Sequence, residues 1–197
     1  MPRIDNEKFY NAAIERHGLG PQGVHWNSEH SQKTRFKVIT SLLPQELSRA
    51  TIVDAGCGFG DFYRYLADME RLPAQYTGLD CMEPMVAEAK ERTGCEIRLC
   101  DILHDPLVEA DYYICSGAMN ILERFETHLF IRRCYEHAKL GFVFNMLEGR
   151  DESMVYNYFT PGEIKKLGCE LGARVVIKKG YLERDMTVAF YKGDVEC

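Results

Sequence analysis

Apolar positions change their spacing near residue 50. Before it, Phe36, Ile39, Leu42 and Leu43 recur along one face at helical intervals, which predicts a helix from a Ser28 N-cap to about Leu43, closed by Pro44. An earlier helix is predicted over residues 6–16, ending at the Gly18–Gly20 loop. After residue 50, short apolar runs alternate with helical patterns. Strands are predicted at 51–54, 76–80, 96–100, 111–115 and 141–146, and helices at 61–69, 84–92 and 125–139. The stretch 145–158, polar with two tyrosines, is read as a connection or a lid over a ligand. Thr160, Pro161 and Glu163 form a helix start, with a cap, a proline at N1 and an acid at N3. That helix ends near Gly168 or Gly172, and the runs 174–179 and 186–192 suit an antiparallel pair at a sheet edge.

Alternating strands and helices predict an α/β fold, a mostly parallel sheet covered on both faces. Such sheets bind ligands at the carboxyl ends of their strands, so the residues after each strand carry the interest. The chain of 197 residues is 46% hydrophobic and 27% charged, enough for one core without disulfide or metal staples. Residues 1–45 are read as an N-terminal helical cap segment and 46–197 as the core of that one domain.

Composition narrows the partners. Lys and Arg total 24 against 30 Asp and Glu, a net charge of −6, which disfavours nucleic acid as a partner. No apolar run is long enough to span a bilayer and the first ten residues lack a secretory core, so a cytoplasmic location with no membrane association is expected. The eight cysteines form no CxxC knuckle and are read as reduced and structural, with no metal site.

Three strand tips carry chemistry. IVDAGCGFGDF places Asp54, Gly56, Gly58 and Gly60 in a D-x-G-x-G-x-G turn, where missing side chains let a ligand lie on the backbone before a helix N-terminus. Asp80 ends YTGLD, where an acid can accept both hydroxyls of a ribose or cap the next helix. Asp101, in RLCDIL, can accept from an exocyclic amine with Ile102 against the base, or simply cap its own turn.

These segments, followed by CSGAMNIL, resemble the class I S-adenosylmethionine-dependent methyltransferases, in order and spacing over about residues 28–192. The resemblance implies a single Rossmann-like three-layer sandwich with a seven-stranded, mostly parallel sheet, the last strand antiparallel, plus N-terminal helices. It implies S-adenosylmethionine as cofactor and S-adenosylhomocysteine as product. It places Gly56, Cys57, Gly58, Phe59 and Gly60 at the methionine part, and counts Asp54 among the cofactor-binding residues. Asp80, Cys81 and Met82 fall at the ribose, Cys100, Asp101 and Ile102 at the adenine, and Ser116 and Gly117 beside the methyl. A dinucleotide-binding Rossmann turn fits worse, because the sixth position from Gly56 is Asp61 where a small residue is required.

The acceptor is read from what remains. His25 is a candidate base, Asn120 an amide that orients an acceptor, Trp26 a stacking residue, and Arg35 a partner for the methionine carboxylate. SGAMN lacks the N/D-P-P-Y/F signature of amino-methyltransferases of DNA bases and glutamine. The expected reaction is in-line methyl transfer to O or N, less so S or C, of a small molecule. The alternatives are a methyltransferase on tRNA, rRNA or protein, and a non-catalytic module that keeps the cofactor fold. Monomer and homodimer are both open.

Overall fold

The computed structural model describes residues 29–150, 153 and 155–193. The predicted helix over 6–16, the Ser28 cap, His25 and Trp26 lie outside these residues. Helix α1 (Glu29–Thr40) precedes β1 (Thr51–Ala55), α2 (Asp61–Asp68), β2 (Gln75–Asp80), α3 (Glu83–Thr93), β3 (Glu96–Leu99) and β4 (Ala110–Ser116). A 3-10 turn (Ala118–Ile121) leads to α4 (Arg124–His137) and β5 (Ala138–Glu148). A two-residue strand, β6 (Tyr158–Phe159), is followed by α5 (Pro161–Glu170), β7 (Arg174–Lys179) and β8 (Asp185–Tyr191).

The seven long strands run in the order β3-β2-β1-β4-β5-β8-β7, with β6 paired beside the end of β5. All pairings are parallel except those of β8, which is antiparallel to both β5 and β7. The last strand thus inserts between its two neighbours instead of closing the edge. The chain winds outward from β1 to β3, then returns to β4 on the other side. That reversal opens a crevice between the tips of β1 and β4.

Alternation along the strands sends side chains to two apolar layers. On one face Val53, Tyr113, Phe142 and Phe190 pack under α4 and α5. On the other, Ile52, Ile114 and Val143 pack under α1, α2 and α3, with Phe36 and Ile39 of α1 inside that layer. The cap predicted for α5 forms: Thr160 Oγ1 accepts from the Glu163 N–H at 3.3 Å and Glu163 accepts from the Thr160 N–H at 2.7 Å.

One boundary moves materially. β5 continues to Glu148, because its antiparallel ladder with β8 runs on through Asn145↔Thr187 and Leu147↔Asp185. Asn145, inside the predicted strand 141–146 and also at the head of the polar stretch 145–158, is a strand residue with 1% of its surface exposed. What the pairing adds is Leu147 and Glu148, which lie beyond the predicted end of the strand. Tyr158, at the other end of the same stretch, belongs to β6.

Candidate functional site

A cleft of about 700 Å³ lies over the strand tips, bordered by the β1–α2 turn, the ends of β2 to β5, and α1. That volume falls in the range of about 300–1,000 Å³ usual for small-molecule sites.

The β1–α2 turn is shaped by its glycines. Gly56, Gly58 and Gly60 have φ of +78°, +54° and +78°, a region that L side chains avoid. A Cβ on Gly56 would overlap that of Ala118. A Cβ on Gly60 would come within 2.5 Å of Thr93 Cγ2. Gly60 therefore does not border the cleft with its neighbours; its absent side chain lets α2 and α3 approach. Gly56, Cys57, Gly58 and Phe59 do border it. Helix α2 starts at Gly60 without a side-chain cap, leaving first-turn N–H groups for a ligand.

Asp80 holds this turn. Its Oδ2 accepts the Gly58 N–H at 2.8 Å and its Oδ1 the Met82 N–H at 3.0 Å. The carboxylate is therefore not a helix cap, since α3 begins after Met82 with no side-chain cap. A carboxylate offers about four acceptor positions, so the backbone N–H groups it accepts do not exhaust it. Burial pushes its pKa up to about 6, restrained by the N–H groups of Gly58, Met82 and Cys81. Asp54 lies beneath the turn, 2% exposed, and accepts from the Tyr76 hydroxyl. Burial pushes its pKa up to about 7; the Tyr76 bond opposes the shift, and the nearby charges of Asp80 and Asp61 add to it.

At the third tip Asp101 borders the cleft beside Cys100 and Ile102. Its Oδ1 accepts the Leu103 N–H at 2.8 Å and its Oδ2 lies 2.8 Å from His104 Nδ1. It caps its own turn, as the plainer of the two sequence readings has it, with 40% of its side chain exposed.

The far half of the cleft is built differently. Ser116 and Gly117 end β4, and the next turn brings Asn120 to the cleft. Asn120 Oδ1 is buried and has no hydrogen-bond donor among the described residues. Its main chain is clasped by Asn157, whose N–H donates to the Asn120 carbonyl at 2.7 Å. Asn157 Nδ2 also donates to the Leu122 carbonyl at 3.2 Å and to Thr127 Oγ1 at 3.1 Å. On α1, Gln32 donates to Asp61 at 2.9 Å. Arg35 borders the cleft but directs Nε to Asp185 Oδ2 at 2.6 Å, with Nη2 on the same oxygen. Asp185 also accepts the Tyr181 hydroxyl at 2.6 Å, and Tyr181 lies 2.6 Å from Thr187 Oγ1. Because the single Tyr181 proton goes to Asp185, Thr187 is the donor to Tyr181. Burial raises the Asp185 pKa, and Arg35 and Tyr181 restrain it.

Sequence reasoning missed Gln32, Leu147, Tyr156 and Tyr158 as lining residues, although the two tyrosines stood in the segment marked as a lid. Asp185 carried no signal, being a polar residue before an apolar run. Among the described residues no cluster of three or more His, Cys, Asp or Glu is placed to hold a metal ion, and no helix is long and apolar enough to cross a membrane.

Residues 52–141 match the family model described as a methyltransferase domain. No curated protein matches the chain in sequence. Among solved structures, magnesium protoporphyrin IX methyltransferase from Synechocystis PCC 6803 with bound S-adenosylmethionine superposes with a TM-score of 0.72 at 17% identity, covering 98% of this chain and 100% of that one. A putative methyltransferase in complex with the Haloferax volcanii Trm112 methyltransferase activator gives 0.72 at 16% identity, covering 94% and 97%. An S-adenosylmethionine-dependent methyltransferase from Mesorhizobium loti gives 0.65 at 19% identity, covering 81% and 98%. The strand order agrees with these matches: the chain has the fold of these methyltransferase structures, and residues 52–141 match a methyltransferase domain.

Proposed function

We propose that the chain transfers a methyl group from S-adenosylmethionine to an oxygen or nitrogen of a small molecule by in-line displacement. The observation that carries this reading is the Asp80 carboxylate. It is buried at the β2 tip, fixed to the glycine turn through Gly58, and retains acceptor capacity toward the crevice. A cis-diol donating to that carboxylate, with its purine toward Ile102, fits the donors and acceptors at the tips. The uncapped α2 N-terminus suits the carboxylate at the other end of the cofactor.

When bound, the cofactor would supply a methyl group on a sulfonium, which needs no further activation: the C–S bond breaks as the bond to the acceptor's oxygen or nitrogen forms, sulfur keeps the electron pair as S-adenosylhomocysteine, and the acceptor's proton is lost to solvent. The protein's share is placement. The residues of the β4 tip and its following turn hold a nucleophile in line with that methyl while the cleft walls exclude water. Asn120 orients the acceptor through its amide. The net charge of −6 supports a small acceptor over a polyphosphate one.

Calorimetric titration with S-adenosylmethionine, S-adenosylhomocysteine and NAD tests this, with Asp80→Ala alongside. The first two are expected to bind, NAD not, and the variant to lose roughly a hundredfold in affinity, as removing two charge-assisted contacts does. Hydroxyl donors favour the ionised carboxylate, so affinity rises as pH passes upward through about 6, and Asp80→Asn flattens that profile. Unchanged affinity in Asp80→Ala sinks the ribose assignment.

A further inference from the structure

The two halves of the cleft differ in what their polar atoms still need, and that difference bears on the acceptor. We propose that the half beyond the β4 and β5 tips receives an uncharged amphipathic molecule, a ring-sized apolar body carrying the O–H or N–H that is methylated, and that Asn120 accepts a hydrogen bond from that group. The inference rests on the methyl-transfer reading above and deepens it.

Among the described residues lining this half, the charged side chain is Arg35, and it is already matched. Arg35 is paired to Asp185, and Asp185 is 1% exposed and held by Tyr181 as well. An anionic acceptor that drew Arg35 away would leave a carboxylate buried without its cation, a strongly unfavourable arrangement. Gln32 is likewise turned to Asp61. Among the described residues that line this half, the buried side-chain atom left without a donor is an acceptor, Asn120 Oδ1; the other such amide oxygens, of Asn145 and Asn157, belong to residues that do not line the cleft. A buried carbonyl oxygen forgoes its hydration, and a ligand N–H or O–H restores what it lost. Beside it stand Ser116, whose hydroxyl accepts from Asn145 Nδ2 at 3.3 Å, the apolar Ile121, Leu122 and Leu147, and the rings of Tyr156 and Tyr158.

Asn157 makes these pieces one unit. It stands between the two tyrosines in sequence, and its backbone N–H and side-chain amide bind the turn that carries Asn120. The rings and the amide oxygen are thereby fixed relative to each other, so a donor and an apolar body must arrive with a set geometry.

Three probes sharing one body separate the possibilities: 4-methylphenol, 4-methylanisole and 4-methylbenzoate. Each is titrated by ligand-observed NMR into full-length protein saturated with S-adenosylhomocysteine, which leaves the space of the transferred methyl open. The phenol is expected to bind, the ether at least fivefold more weakly, and the benzoate not detectably. Asn120→Leu is expected to bring the phenol down to the ether's affinity. Asn120→Asp keeps an acceptor oxygen and is expected to hold the phenol, which assigns recognition to the oxygen and not to the amide N–H. A melting transition establishes that each variant is folded.

An ether that binds as well as the phenol, a benzoate that binds better, an Asn120→Leu variant with unaltered phenol affinity, or no binding by any probe overturns the proposal. Failure of S-adenosylhomocysteine to bind the wild-type protein is a separate result: it removes the methyl-transfer reading, and this inference with it.

Discussion

The half of the cleft over β1 to β3 is held chiefly by carboxylates that accept main-chain N–H groups, and the half over β4, β5 and β8 chiefly by bonds between side chains. In the first, Asp80 and Asp101 each accept main-chain N–H groups from the turns they support, two to 22 residues away in sequence. In the second, Arg35 reaches Asp185 across 150 residues, and Tyr181 and Thr187 complete a chain of side-chain bonds. A site made from main-chain N–H groups and glycine turns suits a cofactor of fixed shape. A site made from side chains can be re-specified residue by residue, as an acceptor site requires. The contrast also separates energetics: backbone bonds survive most substitutions nearby, whereas a buried side-chain network is disturbed by the loss of one member.

The largest expected effect is on the backbone side. Gly56→Ala forces a Cβ onto a residue at φ +78° and into Ala118. A left-handed residue with a Cβ costs about 1–2 kcal/mol and overpacking about 1–3, so destabilisation of about 2–5 kcal/mol is expected in urea unfolding. S-adenosylhomocysteine binding should be lost in parallel, because the turn also packs against the β4 tip. A variant with normal stability and normal binding would show that this turn yields more easily than a backbone-held site should.

The same distinction explains what the sequence made legible. Gly56 and Gly58 are required by positive φ in a strand-to-helix turn, and Asp54 and Asp80 stand where short apolar runs end, so local pattern suffices to find them. Helix α5 was equally plain, since Thr160, Pro161 and Glu163 are its cap. The end of β5 is less plain, because the polar stretch from Asn145 reads as a connection, whereas pairing with β8 carries the strand on to Leu147. Arg35 and Asp185 meet through tertiary structure alone, and no spacing rule links positions so far apart. Gly60 shares the motif and is expected at the cofactor, and its absent side chain also lets α2 approach α3 at Thr93.

A pH experiment sharpens the backbone side further. Asp54 has an ordinary pKa of 3.8 and about 7 in the folded protein, with burial as the main cause. The folded state therefore holds this proton more tightly than the unfolded state, and its contribution to stability declines as pH rises from about 4 through 7. Asp54→Asn cannot ionise and still offers an oxygen to the Tyr76 hydroxyl. It should be more stable than wild type at pH 8, on the order of 1–3 kcal/mol, with the advantage gone by pH 4. Urea midpoints at the two pH values measure this. Equal differences at both would mean that Asp54 is not the group whose ionisation strains the turn.

The smallest expected effect falls on the side-chain half and bears most directly on the comparison. Tyr181→Phe takes from Asp185 one of its donors and from the Thr187 hydroxyl its acceptor, while Arg35 keeps its bond to the carboxylate. One lost hydrogen bond to a charged group costs about 1.5–3 kcal/mol when its partner stays buried, and the remaining Arg35 pair should hold the loss near the lower figure. The variant is expected to melt earlier yet bind S-adenosylhomocysteine within about twofold of wild type, because the Asp80 turn has its own bonds and needs none from Tyr181. Calorimetry on the two proteins decides it. If affinity drops tenfold while the protein stays folded, the network positions Arg35 for the cofactor's carboxylate, and the two halves of the cleft are one coupled site. If affinity holds, Arg35 and Asp185 belong to the acceptor half, and the division between main-chain and side-chain construction is also a division of labour.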